Sequence, residues 1–571
     1  MTIPALTKAA GLPAPADAGT GSLHGSVSRT DADGSNASQI VVRSEDGQFR
    51  EVLATDATGN FALSALSPGR YEVAMLESGV ETGKVTAVEV AAGSDAEANL
   101  GAQSSTASPV PPTAAPAAPL FKPTDGFFTR WGKAYLADWT GNTPSDPNPP
   151  KRRGTPGPIS SPPFPAADWP IGGTQEIGAP DYQTYMLQEA IDKSATKLSK
   201  VKWYGWISIG ANGSTNNRGN ASKGIPANSP SAYDEFPNTI VLDQLAVYTE
   251  KLADTTQTDH FDWGFRVTNL YGQDYRFTTS HGMLSQQLLV KNAQYGYDPV
   301  MFYVDLYFPK LGKGSDLRIG RYISLPDIEA QLAPNNYTYS HSLLYTIDPY
   351  TQTGIVASIK LSDHWLIQAG FSGGNDVAPW TKDVKPTGTA CVDYTWKKGG
   401  DALYTCANSF NDGKYAYNNL QSYYETWYHK INATWHTDTE TWYMYERNVP
   451  NIGGNVANPI TPETGANGAF CSFGERTCFA PETAVVNYLE HEFNAHNYLS
   501  IRNEFVDDIK GQRTGYTTMY SEHLISYGHW IGSTVLFRPE VRFEHSYQLA
   551  AYDLGTKKTQ FVVAGDLTYH F

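Results

Sequence analysis

The stretch FVVAGDLTYHF, Phe561 to Phe571, carries the pattern on which the whole chain turns. Phe561, Val563, Gly565, Leu567, Tyr569 and Phe571 are apolar, aromatic or glycine. Val562, Ala564, Asp566, Thr568 and His570 between them are small or polar. A period of two specifies an extended strand with one oily and one wet face. One such strand can end any antiparallel sheet, so the weight falls on whether the pattern recurs upstream.

It recurs from about residue 200 onward. HFDWGFRVTNL sets Phe261, Trp263, Phe265 and Val267 against Asp262, Gly264, Arg266 and Thr268. VMFYVDLYF sets Val300, Phe302, Val304, Leu306 and Phe308 against Met301, Tyr303, Asp305 and Tyr307, and DLRIGRY opposes Leu317 and Ile319 to Arg318 and Gly320. GIVASIKLSDHWLIQAGFSGGND reads as a hairpin turning at Ser362-Asp363, and residues 423–447, 485–508 and 523–545 read as three more. Strands of roughly 9–14 residues, longer than the soluble mode, meet at very short polar turns. Between hairpins the connections are long: 323–352, 375–420, 449–481 and 508–515. Short turns at one end and long loops at the other describe a transmembrane cylinder, with the short turns on the periplasmic side. The expected fold is therefore all-β: an antiparallel transmembrane β-barrel over 201–571, of about fourteen strands with twelve to sixteen within the counting error. Two segments, 239–250 and 484–494, alternate poorly.

Composition agrees. Aromatics make up 12% of the chain, with 35 Tyr and 13 Trp, yet no stretch approaches the 18 consecutive apolar residues of a membrane-crossing helix. A barrel uses its aromatics as girdles at the two interfaces, although an aromatic-rich soluble sandwich would give the same totals. The net charge of −16 argues against a nucleic-acid partner, since the one basic cluster is Lys151-Arg152-Arg153.

In lipid every backbone amide needs a partner, so a sheet crosses a membrane only as a closed cylinder. A cylinder this wide is not filled by its own wall side chains. In FRPEVRFE, Val535, Phe537, Val541 and Phe543 go to lipid while Arg538, Glu540, Arg542 and Glu544 go inward. Asp262, Arg266, Asp305, Arg318, Arg502, Glu504 and Asp566 occupy the matching faces of other strands. An arginine at the lipid midplane costs roughly 2–4 kcal/mol, which sends these residues to the interior. They are the pore-lining candidates, since rings of such charges set solute selectivity. Opposed charges that merely pair and brace the wall are the alternative.

Four cysteines fall in two close pairs, Cys391 with Cys406 and Cys471 with Cys478, in polar segments between strand candidates. No CxxC zinc spacing is present, so two loop-stapling disulfides are expected, with no metal and no cofactor.

Ahead of the cylinder, 1–21 reads as a disordered, Ala/Pro-rich start and 22–100 as a small Ig-like β-sandwich of short alternating strands. Residues 101–120 form a Pro/Ala linker, and 121–200 an extended lead-in, with DYQTYMLQEAIDKSATKLS a candidate short helix. DADGS (Asp31 to Ser35) lacks the closing Glu of a calcium loop and reads as a turn. The opening residues have neither the basic start nor the apolar core of a secretory signal, so a processed chain is expected.

Three resemblances sharpen this. The strand ending at Phe571 resembles the closing strand of bacterial outer-membrane barrels, which implies that Gly565, Leu567, Tyr569 and Phe571 are read by the barrel-assembly machinery. TDATGNFALSALSPGRYEV (Thr55 to Val73) resembles the carboxypeptidase regulatory-like domain, with Gly59 and Pro68-Gly69 in turns and Phe61, Leu63, Leu66 and Tyr71 in its core. Pro326 to Trp380, with SLLYTIDPYTQTG and QAGFSGGNDVAPW, resembles the OmpL-like β-barrel porin family of the porin-2 type. That resemblance implies a Gram-negative outer-membrane channel for small hydrophilic solutes, not an enzyme, with outer-membrane lipid as partner and a periplasmic sandwich. A homotrimer, common among porins, is left open. Three rival functions stand beside it: a barrel-anchored binding or adhesion protein, an energy-coupled transporter, and an outer-membrane hydrolase using wall residues such as Ser526, His529 and His545.

Overall fold

The computed structural model describes residues 21–26, 39–44, 50–55, 60–77, 80–91, 94–98, 100, 122, 124–140, 177, 185–192 and 200–571, less 232, 327, 397–400, 433, 454–467 and 495. Residues 1–20, the Asp31 to Ser35 turn, Gly59, the 101–120 linker and the Lys151-Arg152-Arg153 cluster lie outside the described residues. The chain divides into two units, Met1–Ala115 and Pro116–Phe571.

The first unit holds β1 (Gly21–Ser26), β2 (Gln39–Ser44), β3 (Arg50–Ala54), β4 (Asn60–Leu66), β5 (Gly69–Glu77), β6 (Val80–Val90) and β7 (Asp95–Glu97). They form two sheets, β4-β1-β7 and β3-β2-β5-β6. Phe61, Leu66 and Tyr71 pack with Leu23, Ile40, Val42 and Val73 in its core, and Leu63 is partly buried against them. The Tyr71 hydroxyl donates to the Ser67 carbonyl at 2.7 Å, which ties the turn at Pro68-Gly69 to the strand behind it.

The second unit is a closed barrel. Its strands are β8 (Lys202–Ser214), β9 (Ile240–Lys251), β10 (Asp262–Gly272), β11 (Gly296–Phe308), β12 (Ser315–Ile323), β13 (Thr351–Lys360), β14 (Trp365–Asn375) and β15 (Thr387–Trp396). They continue with β16 (Asp401–Phe410), β17 (Gln421–Lys430), β18 (Trp435–Pro450), β19 (Thr477–Asn494), β20 (Asn497–Asp508), β21 (Thr518–Ile531), β22 (Val535–Ser546) and β23 (Thr559–His570). Each pairs antiparallel with its sequence neighbours, and β23 closes on β8 with Asp566 opposite Gly210 and Thr568 opposite Ser208. In β23 the exposure runs opposite to that of a water-soluble strand: Val563 is 51% exposed and Asp566 is 1% exposed. Oily residues face out and polar ones in because the surroundings are lipid.

Sixteen strands stand where about fourteen were expected. The stretch 375–420, read from sequence as one long connection, contains β15 and β16. Their outward positions include Gly388 and Ala390, too small to announce an oily face. The poorly alternating 239–250 and 484–494 are, but for Thr239, strand, in β9 and β19. A bulge where β10 pairs with β11 turns Val300 inward, fully buried, where simple alternation had put it on the lipid side.

Among the described residues the unit also holds four α-helices: α1 (Phe127–Thr140), α2 (Met186–Ile191), α3 (Gln286–Leu289) and α4 (Leu343–Ile347). Within the candidate helix 181–199, of which only 185–192 are described, α2 is helical as expected. The segment Met283 to Gln294 forms only the single turn α3, with Leu288 buried and Val290 80% exposed. α1 was read as extended lead-in. It is a helix because Phe127, Trp131, Tyr135 and Trp139 recur at every fourth position and stack into a ridge.

Candidate functional site

The barrel interior holds polar chain as well as wall side chains. Every described residue from Ser324 to Tyr350, in the β12–β13 connection, is buried. The wall grips this segment by its backbone. Glu504 on β20 accepts from the Leu343 and Leu344 amides at 2.7 and 3.1 Å, at the first turn of α4. Glu540 on β22 accepts from the Tyr339 and Ser340 amides, each at 3.1 Å. Arg502 donates to the Ser340 and His341 carbonyls at 2.7 and 3.0 Å, and Arg538 to those of Ala333 and Asn336 at 2.8 and 2.7 Å. Carboxylates thus take N–H groups of the segment and guanidiniums take its carbonyls, which satisfies backbone groups left without a helix or sheet partner.

The same charges pair with one another. Arg538 grips Asp566 with two bonds of 2.9 and 2.6 Å, directly opposite it in the β22–β23 register. Arg318 does the same to Asp305 at 2.8 and 3.0 Å, across β11–β12. Arg266 meets Glu250 on β9 at 2.8 Å. Arg542 lies between Glu540, Glu544 and Asp234, at 3.3, 2.7 and 2.7 Å. Glu544 also accepts from Ser231 at 2.9 Å, so both Asp234 and Ser231 draw the β8–β9 connection inward. Asp262, near the short-turn end of β10, is half-buried and bonded to Lys251 at 3.1 Å.

All eleven charged positions expected to face inward make a hydrogen bond or ion pair. The sequence reading missed many of their partners. Glu329 on the infolded segment accepts from Ser342 and from the Tyr488 hydroxyl, and Glu522 accepts from Arg502 at 2.6 Å. Arg321 holds Asp298 with bonds of 2.9 and 3.1 Å, and Arg513 donates to the Ile347 carbonyl at 2.6 Å. A signal for the infolded segment was present: Leu325, Ile328, Leu332, Leu343, Leu344 and Ile347 are many large apolar residues for a solvent-exposed loop.

Cys391 is joined to Cys406, and Cys471 to Cys478. The first bond does not staple a loop. It crosses directly opposed positions of β15 and β16, with both residues buried. The second closes part of the long β18–β19 connection. Of the hydrolase candidates, Ser526 donates to the Pro539 carbonyl at 3.2 Å, while His529 contacts Asn497 and His545 packs edge-on against Tyr547. On β23, Tyr569 faces outward with Leu567.

A closed cylinder with an oily exterior and a charged, hydrogen-bonded interior defines a transmembrane β-barrel of the porin class. A family model described as "Putative beta-barrel porin-2, OmpL-like" matches residues 200–571, and the chain belongs to that family. Residues 22–103 match the carboxypeptidase regulatory-like domain. Among solved structures, the anion-selective porin from Comamonas acidovorans is 8% identical, covering 65% of this chain and 99% of that one, with a TM-score of 0.41. The outer membrane channel DcaP of Acinetobacter baumannii is 11% identical, covering 65% and 97%, at 0.40. OmpT of Vibrio cholerae is 11% identical, covering 65% and 97%, at 0.38. No curated protein matches.

Proposed function

We propose that this protein is an outer-membrane porin, passing small hydrophilic solutes or ions passively, and that it is not an enzyme. The observation that carries the reading is the infolded Ser324 to Tyr350 segment, held by wall charges inside a cylinder of sixteen strands. A cylinder of that size has a lumen wide enough for water. A segment laid across it narrows the passage, and charged walls select what enters. Asp262, Arg266, Asp305, Arg318, Arg502, Glu504, Arg538, Glu540, Arg542, Glu544 and Asp566 are the proposed lining, with Arg502, Glu504, Arg538 and Glu540 acting by positioning the segment. The short turns and the sandwich are assigned to the periplasmic side. Gly565, Leu567, Tyr569 and Phe571 are assigned to recognition by the assembly machinery, and trimer formation is left to a mass measurement in detergent.

Reconstitution into planar bilayers tests the reading. Open single-channel currents are expected, with ion preference shifted in Arg538→Ala and in Arg542→Ala. A correctly folded preparation that carries no current would move the protein to the membrane-anchored binding reading.

A further inference from the structure

α1 has two unlike sides. Phe127, Trp131, Tyr135 and Trp139 stack in series with ring centroids 5.7, 6.1 and 5.5 Å apart, and Phe128 joins them at 5.2 Å. Thr129, Lys133 and Thr140 lie on the other side, with Lys133 tied to Asp125 at 2.5 Å. Arg130, Ala134 and Ala137 are buried, as is Tyr135 of the aromatic side where it meets the barrel, and Arg130 donates to the Ala190 carbonyl at the end of α2.

The helix is fixed to the short-turn rim of the barrel. Asp138 accepts from the Ser533 amide and hydroxyl in the β21–β22 turn, at 2.9 and 2.7 Å, and from the Thr534 hydroxyl at 2.8 Å. Trp139 donates to Thr534 at 2.9 Å, and the Tyr135 hydroxyl donates to the His570 carbonyl at 2.7 Å. Tyr135 also stacks on Tyr569, with centroids 5.2 Å apart and planes at 19°. Tyr569 belongs to the outward, lipid-facing set of β23, so the aromatic side of α1 continues the oily outer wall formed by Ile531, Phe537 and Leu567. Yet Phe128 is 79%, Leu136 61% and Trp139 48% exposed.

We propose that α1 is an interfacial helix whose aromatic side lies in the lipid leaflet at the short-turn end of the barrel. Trp, Tyr and Phe gather where one end of a side chain is oily and the other wet, and amphipathic helices lie in that plane. The stripe begins at a residue already on the lipid wall and is held there by four bonds from Asp138 and Trp139, so it cannot turn away from the bilayer. A helix so placed widens the band of lipid contact on one side of the cylinder.

This rests on the barrel lying in a bilayer, and the test separates the two. Nitroxides are attached singly in the full-length protein to Phe128→Cys, to Thr129→Cys a quarter-turn or more round the helix and, on the outer wall, to Phe537→Cys. The native cysteines are all disulfide-bonded and do not compete. In phosphatidylcholine vesicles, the ratio of collisions with oxygen to collisions with a water-soluble nickel chelate is expected to be severalfold higher at 128 than at 129, approaching that at 537. Equal ratios at 128 and 129, with 537 lipid-exposed, would overturn the proposal alone. So would a site 128 closed to both reagents, since protein would then cover it. A water-exposed 537 would overturn the bilayer reading with it.

Discussion

His341 shows how finely the interior depends on the state of single residues. Its Nε2 lies 2.6 Å from the Ala330 carbonyl oxygen, and its ring stacks on Tyr233 with centroids 3.7 Å apart. Burial pushes its pKa down to about 3, with the Arg502 and Arg538 guanidiniums acting in the same direction. The folded pKa therefore lies below the unfolded one, and the folded state binds fewer protons between the two. His341 costs nothing above about pH 6.5 and weakens the fold progressively as pH falls from there toward 3, by roughly 3 kcal/mol at pH 4. Amide exchange across Ser324 to Tyr350, corrected for its intrinsic rate, is expected to quicken between pH 6.5 and 4. His341→Gln should flatten that dependence, and an unchanged slope would remove His341 from the account. Arg538 makes a second prediction. Its loss leaves Asp566 buried with only the Ser208 and Thr568 hydroxyls, at 3.1 and 2.9 Å. Arg538→Ala should cost roughly 3–5 kcal/mol, read as a shift in denaturant midpoint. Arg538→Lys should recover only part, because one ammonium cannot match two carboxylate oxygens.

Among elements, the β12–β13 connection carries the most consequence. Replacing Ser324 to Tyr350 by a short Gly/Ser turn is expected to leave a folded barrel with a severalfold larger single-channel conductance. Conductance unchanged by the excision would mean that the aperture is set elsewhere. How legible each element was follows from what its side chains face. β22 and β23 announce themselves because lipid selects large oily residues at every second position: Phe537, Val541 and Phe543, then Phe561, Val563 and Leu567. β15 hides because Gly388 and Ala390 occupy those positions. The inward charges were readable as a set, since no oily face tolerates them. Their partners were not: Glu329 is 173 positions from Arg502, and Asp234 is 308 from Arg542. No local period links residues that meet only when the cylinder closes. α1 escaped notice because its ridge is one of aromatics, which a reading tuned to alternation assigned to no element.

At the scale of the whole molecule, Met1–Ala115 and Pro116–Phe571 are separate compact units. The sandwich has its own core around Leu23, Ile40 and Val73. Removing residues 1–115 is therefore expected to leave single-channel conductance unchanged, measured beside the full chain in the same bilayers. A lost or altered current would show that the sandwich reaches the passage. The junction of β23 with β8 has a consequence in time. Ser208 and Asp566, bonded across that seam, are 358 positions apart. During synthesis Lys202–Ser214 emerges long before the strand that will cover its free side, and a bare strand edge is an invitation to foreign pairing. The earliest piece of the wall must thus stay guarded until the latest arrives, which makes the final stitch, rather than the first hairpin, the slow and vulnerable moment of biogenesis.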